Sequence, residues 1–192
     1  MLKFPVPFFL ASQSPRRKKL LELLNFQFQT FSVDTDESIL NGETPIEAAL
    51  RLAEVKMQEA LLLRPNSIIL TADTLVALGD KILGKPSDEV EAFNYLRELS
   101  GNTHKVVTGF CITNSSNGTK IIDFEETLVT FRNLDNEEII DYINGGSPMD
   151  KAGAYGIQDD FGAVFVSRIE GCYYNVVGLP LAKVYSSIKS AL

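Results

Sequence analysis

A chain of 192 residues that is 45% hydrophobic and carries a formal net charge of −7 has enough apolar material for a sizeable core. It lacks the broad cationic surface that holds nucleic acid or anionic lipid, although a local cationic pocket remains compatible with its charge. Cys111 and Cys172 lie far apart in apolar or aromatic surroundings without CxxC or Cys/His spacing, and read as reduced core residues. The run Phe4 to Ala11 does not read as a secretory core, because Pro5 and Pro7 interrupt it and the cations Arg16 to Lys19 follow where a cleavage region is uncharged. No other run approaches the roughly 18 apolar residues of a membrane span, so the expected location is the cytosol.

Phe4 to Leu10 predicts a buried strand with its prolines near the start, where a ladder donor can be spared. Ser14 then caps a helix with Pro15 at its first position, and Leu20, Leu21, Leu23 and Leu24 form its core face. Acids are the expected first-turn residues of a helix, yet this one opens on Arg16, Arg17, Lys18 and Lys19. Arg16 and Arg17 beside the hydroxyls of Ser12 and Ser14 suit an anion such as phosphate, whereas Lys18 and Lys19 read as a solvated face. Phe26, Phe28 and Phe31 suggest a second strand. Asp34, Asp36, Glu37, Glu43 and Glu47 follow without an intervening base, most of them solvated, with one of Asp36 and Glu37 able to share a divalent cation with another acid.

Thr44-Pro45-Ile46-Glu47 is a capping box that starts a long helix, with Ile46, Ala49, Leu50, Ala53, Met57, Ala60 and Leu61 on its buried face. Lys56 falls at the edge of that stripe, where a lysine ordinarily snorkels to water. Ser67 to Ala72 predicts a short strand ending at Asp73-Thr74, before a second apolar stretch from Leu75 to Leu78. A carboxylate beside buried strands needs a cation, a metal or donors, so Asp73 is either a catalytic acid or base or a turn aspartate.

Gly79 to Lys85 fits the first seven positions of a phosphate loop, but Pro86 replaces the hydroxyl residue and disfavours a helical Lys85. A hairpin turn at Gly79-Asp80 and an exposed Gly84-Lys85-Pro86 fit better, with Lys85 still able to reach a phosphate. Ser87 is the expected cap of a helix with Phe93, Leu96 and Leu99 inside, ending at Ser100-Gly101. His104 to Thr113 and Thr119 to Phe131 read as a hairpin through Asn114 to Gly118. His104, the only histidine, has no triad partner near it in sequence. Asp135 to Glu138 is a second capping box, for a helix ending at Asn144-Gly145-Gly146. Ser147 to Gln158 mixes small residues with an acid, a base, a phenol and an amide, and Gln158 could read a ring edge. Gly162 to Ile169 predicts a strand, Gly171 to Asn175 a turn, and Val176 to Pro180 the approach to a last helix.

Six stretches in order resemble the Maf family of nucleotide pyrophosphatases across nearly the whole chain: Leu10 to Arg17, with Gln13 where glycine is common; Ala72-Asp73-Thr74; Gly84-Lys85-Pro86; Leu99-Ser100-Gly101; Asp150 to Gln158; and Val177 to Pro180. Glu54 stands where an arginine is frequent, while Lys56 keeps its place. The resemblance implies a single α/β domain over 1–192, with a curved mixed sheet flanked by helices and a nucleotide in a cleft between two lobes, as in Maf/ITPase-like folds. It further implies a cytosolic enzyme that hydrolyses nucleoside triphosphates to the monophosphate and pyrophosphate with Mg²⁺ or Mn²⁺, and admits a homodimer. Asp73 would be the proton acceptor and, with Glu37, hold the metal. Arg17, Thr74 and Gln158 match positions associated with base choice, and Ser12, Ser14, Arg16, Lys56 and Lys85 would complete the substrate contacts. The form ending at Gln158 resembles the dTTP- and UTP-preferring branch, since the branch acting on 7-methyl-GTP usually carries an acid near that position. The alternatives are a 7-methyl-GTP pyrophosphatase, against which Gln158 weighs, and a non-catalytic nucleotide sensor, against which the intact Asp73 weighs.

Overall fold

The computed structural model describes residues 2–145, 148–158 and 161–192. It is a mixed α/β protein whose seven strands form one sheet in the order β2-β1-β3-β5-β6-β7, with β4 paired to β3. The strands are β1 (Phe8–Ala11), β2 (Gln29–Phe31), β3 (Ile68–Leu78), β4 (Lys81–Leu83), β5 (Thr103–Asn114), β6 (Thr119–Phe131) and β7 (Val166–Glu170). The helices are α1 (Pro15–Glu22), α2 (Pro45–Leu63), α3 (Glu89–Leu99), α4 (Asn136–Asn144), α5 (Tyr173–Val177) and α6 (Leu181–Ala191). β1 runs parallel to β2 and β3, whereas β3–β4 and β6–β7 are antiparallel, which makes the expected mixed sheet. The chain divides into two compact units.

The first unit contains the residues up to Asp73 together with Thr108–Glu125 and Gly178–Leu192. Its first strand starts only at Phe8, after both prolines, and the Pro7 carbonyl accepts from the Ile68 N–H at 2.9 Å. Proline offers an acceptor but no donor, so Pro7 joins the ladder through its carbonyl alone. Ser14 caps α1 as the sequence predicts, its hydroxyl accepting from the Arg17 N–H at 3.4 Å. That helix stops at Glu22, leaving only Leu20 and Leu21 buried, while Leu23 is exposed and Leu24 half-buried. The capping box at Thr44 and Glu47 forms, and α2 lays Ala53, Met57 and Ala60 against Phe9, Ala11, Ile69 and Cys111. Ile46, Leu50 and Leu61, expected on the buried face, are half-buried. The helix sits close to the sheet: the Thr71 hydroxyl donates to the Ala53 carbonyl at 2.7 Å, and a β-carbon at Gly109 would lie 2.4 Å from the Ala49 carbonyl oxygen.

The second unit contains Thr74–Val107 and Glu126–Val177. Its core joins Val76, Leu96, Leu99, Val129, Phe131, Tyr142, Tyr155 and Phe165. Asp88, not Ser87, caps α3, its carboxylate accepting from the Glu91 N–H at 2.8 Å. Phe93 on that helix is half-buried, and Ala92 takes the inner position beside Leu96 and Leu99. The capping box at Asp135 and Glu138 forms as expected. Gly146 and Ser147 lie outside the described residues. In place of a strand from Gly162 there is a 3₁₀ segment at Phe161–Phe165, and β7 follows it. The expected turn at Gly171 to Asn175 becomes the short helix α5, because the buried Asn175 amide donates to the Val106 carbonyl and the Thr127 hydroxyl, each at 2.9 Å. Cys111 is buried and Cys172 half-buried, both free thiols, so the core placement expected for the pair holds only for Cys111. No helix of the described residues is long and apolar enough to cross a membrane.

Candidate active site

The structure corrects the expectation of a short strand that ends at Asp73-Thr74. β3 is continuous through Asp73, a residue that is 8% exposed and the one charged position of that strand. What makes the position tolerable is Lys56, which likewise does not snorkel. It lies on the buried face of α2, one turn after Leu52 and Ala53 and one before Ala60, and is 8% exposed. Its Nζ donates to Asp73 Oδ1 and forms an ion pair with Glu37 Oε1 at 2.6 Å. One ammonium therefore joins two carboxylates brought from a strand and a loop, which supplies the partner that a buried charge requires.

Glu37 is positioned by a latch between its loop and α2. Arg51 Nη2 donates to the Ser38 carbonyl at 2.9 Å and to Glu43 Oε2 at 2.7 Å, while that same carboxylate oxygen accepts from the Leu40 N–H at 2.9 Å. The Arg51 hydrogen bond holds the Glu43 carboxyl below its usual range. Asp36 faces Ser38, accepting from its N–H at 2.9 Å, so of the two candidate acids only Glu37 reaches Lys56.

Arg17 approaches the same cluster from α1. Its Nε donates to the Gly178 carbonyl at 2.9 Å, an anchor that no sequence signal beyond the Val177 to Pro180 motif pointed to. Burial lowers the guanidinium pKa, the charge of Asp73 raises it and that of Arg16 lowers it. Ser12 and Ser14 line a pocket of about 330 Å³ that includes Gln13, Lys18 and Phe31, beside the carboxyl ends of β1 and β2. In open α/β sheets ligands bind beyond the carboxyl ends of parallel strands, and a capped helix start adds donors for an anion. Lys18 and Lys19 are exposed, as expected for a solvated face.

Thr74, Lys85 and Gln158 belong to the second unit. Thr74 is half-buried in β3, Lys85 is exposed and Gln158 half-exposed. No helix follows Lys85 until Glu89, so Gly79 to Lys85 is no phosphate loop, and Gly79 with φ +60° instead turns β3 into β4. The Gly84 carbonyl accepts from the Gly153 N–H at 3.0 Å, tying the Gly84-Lys85-Pro86 segment to the loop that carries Gln158. Lys151 is 8% exposed and pairs with Asp150 at 2.9 Å, a burial that the loop's composition did not reveal.

Among the described residues no group of three or more His, Cys, Asp or Glu could hold a metal ion. Asp73 and Glu37 nevertheless share one cation already, and Mg²⁺ commonly takes one or two protein carboxylates and completes its shell with water and phosphate. The donor set fits a divalent ion of that kind.

Fold and site together define an α/β protein with an acid–lysine–acid cluster and a basic helix start, a combination suited to phosphate chemistry. The family model described as Maf-like protein matches residues 7–191, and the chain belongs to that family. It is 51% identical over 180 residues to the dTTP/UTP pyrophosphatase of Geobacillus sp. (strain WCH70), covering 94% of this chain and 95% of that one. It is 45% identical over 179 residues to the dTTP/UTP pyrophosphatase of Syntrophomonas wolfei, covering 93% and 94%. Among solved structures, a HAM1 protein from Coxiella burnetii shares the fold with a TM-score of 0.52 at 15% identity, over 97% of this chain and 100% of that one.

Proposed function

We propose that this protein is a nucleoside triphosphate pyrophosphatase that hydrolyses dTTP and UTP to the monophosphate and pyrophosphate. The observation that carries the reading is the Glu37–Lys56–Asp73 cluster, a carboxylate held beside a cation in a chain whose relatives carry that activity in their names. Asp73 accepts a proton from the attacking water as its oxygen bonds to the first phosphorus, and the bond to the second phosphate breaks to release pyrophosphate. Lys56 and Arg16, with Arg17, oppose the negative charge that gathers on the departing group. Ser12 and Ser14 donate to phosphate oxygens. Thr74, Lys85 and Gln158 are substrate contacts on the strength of their motifs, Gln158 towards the base. Glu37 and Asp73 would hold Mg²⁺ or Mn²⁺, which when bound supplies Lewis acidity and neutralises phosphate charge. The reaction belongs to the cytoplasm in this reading.

The test is pyrophosphate release from dTTP, UTP, CTP, dATP, GTP and 7-methyl-GTP, with Mg²⁺ and with chelator, for the wild type and Asp73→Asn. Metal-dependent turnover of dTTP and UTP that falls at least about a hundredfold in the variant is expected, the scale of a lost general base. Turnover confined to 7-methyl-GTP would overturn the base preference, and binding without turnover of any nucleotide would make the protein a sensor.

A further inference from the structure

The loop that carries Gln158 is fastened within the second unit at three points. Gly153 donates to the Gly84 carbonyl at 3.0 Å, the Gly156 N–H donates to the Tyr142 hydroxyl at 3.2 Å, and the Tyr155 hydroxyl bonds His104 Nε2 at 2.7 Å. Gly153 to Ile157 are all buried, and Gln158 is the first residue of the run to emerge. His104 is 1% exposed at the start of β5, edge-on to Phe131 and Tyr155, and its Nδ1 has no hydrogen-bond partner. A phenylalanine would fill the same space against Phe131 without leaving a ring nitrogen unpaired. What the imidazole adds is its bond to Tyr155.

We propose that His104 is a positioning residue for base recognition: through Tyr155 it fixes the point at which Gln158 leaves the core, and so its aim at the pyrimidine edge. This rests on the reading of Gln158 given under the proposed function. The Gly153–Gly84 bond extends the same fixing to the segment of Lys85, so a loosened Tyr155 loosens both contacts. His104 itself touches no substrate.

Two measurements test this on the full chain. Hydrogen exchange of the substrate-free protein should show faster exchange at Ala154 and Gly156 in His104→Phe and Tyr155→Phe, with α3 and α4 unchanged. In the pyrophosphate-release panel both variants should raise KM for dTTP about tenfold with kcat within about twofold, the pattern of a lost binding contact, and narrow the preference for dTTP over CTP. The double variant should be no worse than either single one, since both remove the same bond. His104→Gln, whose amide can reach the place of Nε2, should recover part of the preference. A merely structural role would lower the active fraction and leave the preference as it was. Unchanged loop exchange overturns the proposal, as does faster exchange with unchanged preference. Failure of the underlying reading shows separately, as a wild type with no pyrimidine preference, and that result removes the link to base choice.

Discussion

Lys56 bears on stability and, in the proposed reaction, on chemistry. Its ammonium is the partner of a buried carboxylate, so Lys56→Met should destabilise the protein by about 3 kcal/mol in urea denaturation at neutral pH, the scale on which breaking a buried pair strands its other half. His104 makes the second prediction at this scale. Burial alone pushes its pKa from 6.5 to about 4, with Tyr155 and Phe131 as ring neighbours. The unfolded chain therefore binds a proton between those values that the folded chain refuses. The contribution is complete above about pH 6.5 and is lost as pH falls through about 4, roughly 3 kcal/mol in all. Denaturation at pH 7 and pH 4 should show the wild type losing more stability than His104→Phe by about that amount. Sequence spacing put Lys56 at the edge of an apolar stripe and Asp73 at a junction. Neither placement could have been bettered locally, because each residue is buried by virtue of the other, 17 positions away.

At the scale of elements, the approach of α2 to the sheet sets where Lys56 stands. Gly109 in β5 faces the Ala49 carbonyl oxygen so closely that a β-carbon there would lie only 2.4 Å from it, so Gly109→Ala must push α2 outward. Overpacking of this kind costs about 1–3 kcal/mol. The denaturation midpoint should fall accordingly, and turnover should fall more than the lost folded fraction explains, because the displaced helix carries Lys56. Which elements were legible follows from where their signals lie. The caps at Ser14, Thr44 and Asp135 and the turn at Gly79 were read correctly because donor, acceptor and dihedral preference all fall within a few residues. The end of α1, the start of β7 and the helix α5 were not. Asn175 organises α5 through Val106 and Thr127, 69 and 48 positions distant, and a local window contains neither.

For the whole molecule, a net charge of −7 repels a polyanionic substrate, and the field near Arg16, Arg17 and Lys56 must overcome it locally. Salt screens charges more strongly the farther apart they are, over a Debye length of about 8 Å at physiological salt. Raising salt from about 0.15 M to about 1 M, where that length shrinks to about 3 Å, should therefore raise KM for dTTP several-fold with little change in kcat. An unchanged KM would mean that non-ionic contacts dominate binding. The sequence by itself determined the caps at Ser14, Thr44 and Asp135, the hairpin turns, the apolar stretches and the ordered motifs that mark the family, since backbone propensity and side-chain type act over a few neighbouring residues. Only the tertiary structure decided that Glu37, Lys56 and Asp73 meet, that Gly178 holds Arg17, and that His104 answers Tyr155. The cost of burying a charge or a ring nitrogen is set by what lies across from it in space, and that partner arrives from a different part of the chain.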